Sequence, residues 1–432
     1  MASSFQFLLL GSSFLYLTFV SLAQTFHSPN ALGFSITKDV NTLQYVTTIL
    51  HGTPLVPIKL VVDLGGPFLW TDCASRYASS SSRPVPNRSI KCLTAKAHVV
   101  GSKNCLSGAQ KCEIFPENRI TRLGARGELV EGTIAIQSGD DSKAAGPTAT
   151  VFQQFLFSCA PTFLLNGVAS GAQGMLGLGR TRISLPSQIS SALGTHRKFT
   201  ICLSSSEGIM VSDQGPDHHG SIFGPEISRS LTYTPLVTNQ GDNMLSEYFV
   251  GIKSISIEGK RLSLNASLLS LDGEGVGGTK LSTIVPCTTM ESTIYATFIE
   301  AYIKAASSMN MTRVASVAPF TLCFSSKGIE GGQSGPKVPV IDLVLQSEMV
   351  KWRILGGNSM VRVNNEVMCL GFLDGGLNPR TSIALGGYQL EDTLLQFDLG
   401  SSMLGFSQSL SMMQGSCNSV FKFDSRPIDQ SL

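Results

Sequence analysis

The chain has 432 residues, 42% of them hydrophobic, with 32 basic against 30 acidic residues and a formal net charge of +2. That length supplies the buried core of more than one domain. The near-balance of charge excludes the strong positive field on which nucleic-acid binding draws.

Residues 1–23 read as a signal peptide. Phe5 to Val20 is an apolar run interrupted by a few polar residues, and Ser21-Leu22-Ala23 places small residues at the expected cleavage point. The run is too short and too broken by serine for a membrane span, and no later segment is apolar for long enough. The mature chain is expected to begin near Gln24 and to be secreted, an uncleaved anchor being the alternative. The ten cysteines, at 73, 92, 105, 112, 159, 202, 287, 323, 369 and 417, include no C-x-x-C pair. In an oxidising compartment such an even, scattered set reads as disulfides rather than metal ligands. Acceptor sequons at Asn87, Asn265 and Asn310 fit the same route.

Short β-type runs punctuated by Gly, Ser, Pro and Asn follow, among them "LQYVTTIL", "VPIKLVVDL", "ELVEGTIAI", "EYFVGIKSISI" and "VMCLGFL". In "VVDLGGPFLWTDC" an apolar strand runs into Asp63 and a Gly loop, which is how a chain presents a carboxylate for acid–base chemistry; Phe68 and Trp70 read as core beside it. Asp217-His218-His219 has no further His or Cys at ligand spacing and reads as a solvated turn. The turn-rich stretch Leu231 to Met244 is the expected seam between halves. Gly273-x-Gly275-x-x-Gly278 matches a dinucleotide fingerprint only formally, because no strand–helix–strand unit surrounds it; it reads as a loop before a strand. Glu291 to Met309 is the clearest helix, with Ile294, Tyr295, Phe298, Ile299, Tyr302 and Ile303 on one face and a capping box expected from Thr288 to Glu291.

An internal duplication organises these elements. Asp63 is followed, at similar separation, by "GMLGLG" as Ser282 in "TKLSTIV" is followed by "IALGG". Each half thus has a strand-to-turn segment and, much later, an apolar strand that ends in glycine.

The two halves resemble the lobes of a pepsin-like aspartic protease, in which each lobe supplies an Asp-Thr/Ser-Gly loop. "TKDVNTLQY", "FSCAPTFLL", "GLGRTRISLPSQ", "RVASVAPF", "IDLVLQSE" and "ALGGYQLEDTLLQFDL" narrow the resemblance to the plant extracellular dermal glycoprotein group, with the xyloglucanase inhibitors, basic 7S globulins and wheat xylanase inhibitors. It covers nearly the whole mature chain. It implies a mostly β, bilobal pepsin-like fold with a few short helices and lobes at 24–235 and 236–432.

Pepsin-type hydrolysis needs two carboxylates about 3 Å apart sharing one proton. Here the first lobe keeps Asp63 but continues Leu-Gly-Gly, and the second has Ser282-Thr283-Ile284-Val285 where Asp-Thr-Gly would stand. Asp342 does not fill the gap, since "VPVIDLVL" continues as a strand. The flap tyrosine of such proteases is missing too, no Tyr lying between Tyr77 and Tyr233. Asp63 and Ser282 are therefore read as a degenerate dyad, with no cofactor or metal.

The resemblance further implies disulfides Cys73–Cys159, Cys202–Cys417 and Cys323–Cys369. Cys92, Cys105 and Cys112 stay unassigned, and Cys287 is either a free buried thiol or unusually paired. It also implies a protein partner: a microbial glycoside hydrolase, met by a monomer in the apoplast or cell wall. Inhibitory relatives use basic residues from two loops; the matching positions are Gln333 and Gln414, with Lys327 and Lys337 flanking the first. An atypical secreted protease, and a peptide- or wall-binding protein without inhibitory activity, are the alternatives.

Overall fold

In the first half the apolar runs form β1 (Ala31–Lys38), β2 (Tyr45–His51), β3 (Val56–Asp63), β4 (Trp70–Asp72), β5 (Gly127–Gly139), β6 (Thr148–Ala160), β7 (Gly174–Gly177), β8 (Lys198–Cys202) and β9 (Glu207–Ser212). In the second they form β10 (Thr232–Val237), β11 (Tyr248–Val250), β12 (Thr279–Leu281), β13 (Thr288–Met290), β14 (Phe372–Asp374), β15 (Ile383–Leu385), β16 (Leu394–Asp398) and β17 (Met403–Phe406). The computed structural model describes residues 31–74, 79–97, 110–139, 148–212, 230–238, 246–413 and 415–417. The expected signal peptide lies outside them.

β3 shows why its sequence does not alternate. β3 runs between β2 and β7, with Val61 opposite Val46 on one side and Met175 on the other, and Leu60, Val61 and Val62 are all buried because apolar clusters pack on both of its faces. A strand covered on both faces needs a continuous apolar run. Its successive side chains feed different clusters: Leu60 and Val62 pack with Leu176 and Phe157, whereas Val61 packs with Phe68, Trp70 and Met175.

The duplication is visible as strand pairing. In the first half β7 is parallel to β3 and antiparallel to β4, while β4 is parallel to β6. In the second half β15 is parallel to β12 and antiparallel to β13, while β13 is parallel to β14. Glycine closes each arrangement: a Cβ on Gly177 would lie 2.4 Å from the Phe68 carbonyl oxygen, and one on Gly386 would lie 2.5 Å from the Cys287 carbonyl carbon. No larger residue fits either place.

The halves are joined by one sheet. β8 pairs with β16, and β17 pairs with both β16 and β10. Phe199 of the first half stacks on Phe397 of the second with ring centroids 4.9 Å apart, and Tyr248 donates a hydrogen bond to the Leu178 carbonyl at 2.7 Å. Disulfides join Cys202 to Cys417, Cys73 to Cys159, Cys323 to Cys369 and Cys92 to Cys112. Cys287 is a free, buried thiol, and burial pushes it up to about 11; Cys105 lies outside the described residues.

The long helix spans Ser292–Ser308, with Ile294, Tyr295, Phe298, Tyr302 and Ala306 buried and Ile299 and Ile303 partly so. Its cap differs from the sequence expectation. Glu291 is itself the N-cap, its carboxylate accepting the N–H groups of Thr293 at 2.9 Å and Ile294 at 3.2 Å. Thr288 is held in β13 instead, donating its hydroxyl to Gln389 Oε1 at 2.7 Å. The strand takes the residue that the capping box would need.

Candidate functional site

β3 carries Asp63 into its loop with the side chain 5% exposed. Oδ1 accepts the Gly65 N–H at 3.1 Å, and the Asp63 carbonyl accepts Gly66 N–H at 3.1 Å and Leu178 N–H at 2.9 Å. A Cβ on Gly66 would lie 2.8 Å from Oδ2, so the glycine lets the loop close against the carboxylate.

β12 carries Ser282 into the matching loop, where its N–H bonds the Leu385 carbonyl at 2.9 Å. Ser282 Oγ accepts the N–H groups of Ile284 and Val285, each at 3.2 Å. The hydroxyl therefore braces its turn as the Asp63 carboxylate braces the first, without an ionisable proton. Thr283 ties the two loops together: its hydroxyl donates to the Val62 carbonyl at 2.6 Å and accepts the Leu64 N–H at 3.0 Å. Leu64, which stands where Thr283 stands in the other loop, has no hydroxyl to return those bonds.

The group nearest Asp63 in charge is Arg119, at the turn of a hairpin formed by Glu117–Asn118 and Leu123–Gly124. Arg119 Nη1 lies 3.5 Å from Asp63 Oδ1, and Nη2 pairs with Glu247 Oε1. Lys280 Nζ holds the same Glu247 oxygen at 2.8 Å. Burial pushes the Asp63 carboxyl above its ordinary value, although Arg119 opposes the shift. Burial works in the same sense on Glu247, yet Arg119 and Lys280 outweigh it and hold that carboxyl down at about 2. Arg119 stays protonated despite burial, because Asp63 and Glu247 face it. Glu247 is thus a fixed anion between two cations and no proton-sharing partner for Asp63.

One carboxylate, a serine at the equivalent turn and an arginine laid beside them make a pepsin-type centre without its pair of acids. Two family models match the chain, Xylanase inhibitor N-terminal over residues 45–211 and Xylanase inhibitor C-terminal over 247–408. A Nicotiana benthamiana protein named probable aspartic proteinase GIP2 is 46% identical over 415 residues, covering 91% of this chain and 92% of that protein. Basic 7S globulin from Glycine max is 35% identical, covering 96% of this chain and 98% of its own. The chain belongs to the 7S-globulin and xylanase-inhibitor-like group of the pepsin-like superfamily. Its mostly β, bilobal fold agrees with the crystal structure of edgp, at a TM-score of 0.83 and 46% identity over 91% of this chain and 98% of that one. Soybean basic 7S globulin gives a TM-score of 0.76 at 32% identity, over 92% and 100% of the two chains.

Of the two loop positions expected from the resemblance, Gln333 is exposed in the two-residue turn of a hairpin in which Gly331 pairs with Pro336 and Gly332 with Gly335. Gly335 takes φ +93° and packs so closely on Gly357 that a Cβ would lie 2.2 Å from its nitrogen. The Gly357 N–H bonds the Ser334 carbonyl at 2.8 Å, so the hairpin is pinned at its turn. The flanking cations sit in surface ion pairs, Lys327 with Glu366 at 3.5 Å and Lys337 with Glu330 at 2.6 Å. Gln414 and Asp217-His218-His219 lie outside the described residues.

The remaining candidates fall in ordinary places. Phe68 and Trp70 are buried core. Asp342 lies in the strand Ile341–Val344 and accepts from Arg353 Nε at 3.0 Å. The loop containing Gly273, Gly275 and Gly278 leads directly into β12, its last two of those glycines at φ +78° and +67°. Asn265 caps a short helix and is exposed, Asn310 is exposed at φ +57°, and Asn87 is half-buried with Oδ1 accepting from Lys96 at 2.8 Å. Among the described residues no helix is long and apolar enough to cross a membrane.

Sequence reasoning missed Arg119, Glu247 and Lys280. The one available signal was negative: the hairpin has no tyrosine, and its sequence, "ENRITRLG", carries a half-buried arginine instead.

Proposed function

We propose that this protein is a secreted, non-proteolytic pepsin-like protein whose work is to bind another protein. The partner is a microbial glycoside hydrolase that cuts plant-wall glycans, a xyloglucan-specific endoglucanase or a xylanase, met by a monomer in the apoplast. The observation that carries the non-proteolytic reading is Ser282 bracing the turn where a second carboxylate is needed. A lone Asp63 paired with Arg119 has no acid with which to share a proton. The two xylanase-inhibitor family models support the choice of partner.

Gln333, on its pinned hairpin, and Gln414 are the positions proposed to face the partner, with Lys327 and Lys337 beside them. The sequons at Asn87, Asn265 and Asn310 carry glycans in this reading. A hydrolase cleft bearing two carboxylates favours an inserted cation, and a neutral amide answers it weakly. That chemistry favours a second reading, in which the protein binds a wall component or peptide without strong inhibition. Incubation with a panel of microbial xyloglucanases and xylanases, scored for complex formation and residual activity, separates the two. A folded protein that forms a complex with none of them refutes the partner assignment.

A further inference from the structure

Arg119 is rooted with unusual completeness. The neighbouring Asn118 is fully buried and uses its whole amide: Nδ2 donates to the carbonyls of Leu164 at 2.7 Å and Asn166 at 2.8 Å, and Oδ1 accepts the N–H groups of Ile120 at 2.9 Å and Thr121 at 3.2 Å. Trp70 Nε1 holds the Glu117 carbonyl at 3.1 Å. The backbone of the turn is therefore fixed in the first half, and the arginine side chain reaches out from it.

What it reaches is shared between the halves. Asp63 belongs to the first, Glu247 and Lys280 to the second, and the four charges alternate in sign and sum to zero. Their side chains are between 5% and 21% exposed, so water screens them little. Arg119 also lies on the loop backbone itself, since a Cβ on Gly65 would come within 2.6 Å of Nη1. Ser246 adds a hydrogen bond from its hydroxyl to the Gly65 carbonyl at 2.7 Å.

We propose that Arg119 is an internal occupant of the cleft between the halves, neutralising Asp63 and strapping its hairpin to Glu247, so that the cleft is closed to an extended peptide whatever residue stands at 282. A peptide reaching Asp63 would have to displace a guanidinium set between Asp63 and Glu247, leaving the buried Asp63 without its counter-charge and Glu247 with Lys280 alone. Loss of the second acid and closure of the cleft are then two independent blocks. A protein partner is left with the outer loops, and the inference holds whether or not that partner is a glycoside hydrolase.

The test uses the full-length secreted protein, Ser282→Asp, Arg119→Met, Glu247→Gln and the double variant Arg119→Met/Ser282→Asp, each checked for native fold by circular dichroism. Hydrogen exchange of the amides in 117–124 is expected to quicken at least tenfold in Arg119→Met and in Glu247→Gln and to be unchanged in Ser282→Asp. A peptide carrying a statine-type hydroxyl in place of the scissile carbonyl is expected to bind the double variant at least tenfold more tightly than Ser282→Asp. Tight binding by Ser282→Asp alone, equal binding by a folded double variant, or unchanged exchange in Arg119→Met each overturns the proposal. If Arg119→Met does not fold, Arg119→Lys, too short to serve both carboxylates, takes its place under the same criteria.

Discussion

The hydroxyl of Thr283 accepts the backbone N–H of Leu64 at 3.0 Å across the two loops, and no bond is returned from the other side. Thr283 is 2% exposed and also satisfies the Val62 carbonyl, so a single oxygen serves two buried backbone groups. Thr283→Val keeps the shape and removes that oxygen. Leaving a buried donor and acceptor unpaired costs about 1–3 kcal/mol each, so the denaturant midpoint is expected to fall by the equivalent of about 2–6 kcal/mol. A midpoint equal to that of the native protein would mean the loops are held together by packing alone.

The two loops also forecast an absence of proteolysis. Removing one member of a cooperating catalytic unit costs on the order of 10⁴-fold or more in turnover. Peptide hydrolysis between pH 3 and 5 (about the range in which unperturbed carboxyls titrate) is expected to stay at background, in the native protein and in Asp63→Ala alike. Turnover that disappears with Asp63→Ala would restore the protease reading.

Glu247 gives a pH dependence. Its carboxyl is held down at about 2 by Arg119 and Lys280, below an ordinary value of 4.5, so it binds fewer protons folded than unfolded. The stability this contributes is present above the unfolded value and drains away as pH falls from about 4.5 towards 2. Asp63 acts oppositely: burial raises its carboxyl, so its ionisation costs stability at neutral pH and its protonation relieves the cost. The native protein is expected to lose stability across that acid window, and Glu247→Gln to show a flatter profile there. Parallel profiles would place the acid sensitivity elsewhere.

How far the sequence could be read depends on how local each signal was. Asp63 and Ser282 stood out because an apolar strand running into a turn is contiguous in sequence, and Gly177 and Gly386 marked the strands that close beside them. The helix at Ser292–Ser308 was legible from its apolar face and its start to within a residue, but its cap was not, because Thr288 answers to strand pairing rather than to the helix. The charge network was illegible. Arg119 and Glu247 are 128 residues apart, and nothing in either neighbourhood points to the other. The Cys92–Cys112 pair stayed open for a related reason, since spacing alone cannot choose among cysteines.

The last expectation concerns the exposed turn at Gln333. Its hairpin is pinned at Gly335 and Gly357, so a longer side chain there is presented without first ordering the loop, which limits the entropic cost of contact. The present side chain is a neutral amide. Hydrogen bonds to charged groups contribute about 1.5–3 kcal/mol against about 1 kcal/mol for neutral ones, so a carboxylate-lined cleft gains more from a guanidinium. Inhibition of a xyloglucan-cleaving endoglucanase by the native protein is therefore expected to be weak. Gln333→Arg, alone and with Gln414→Arg, is expected to lower the inhibition constant by about tenfold for each 1.4 kcal/mol gained, with the gain shrinking as salt rises. Inhibition constants for the three proteins on one enzyme, at low and high salt, decide it. Tight inhibition by the native protein, unmoved by either arginine, would show that the partner does not touch this turn.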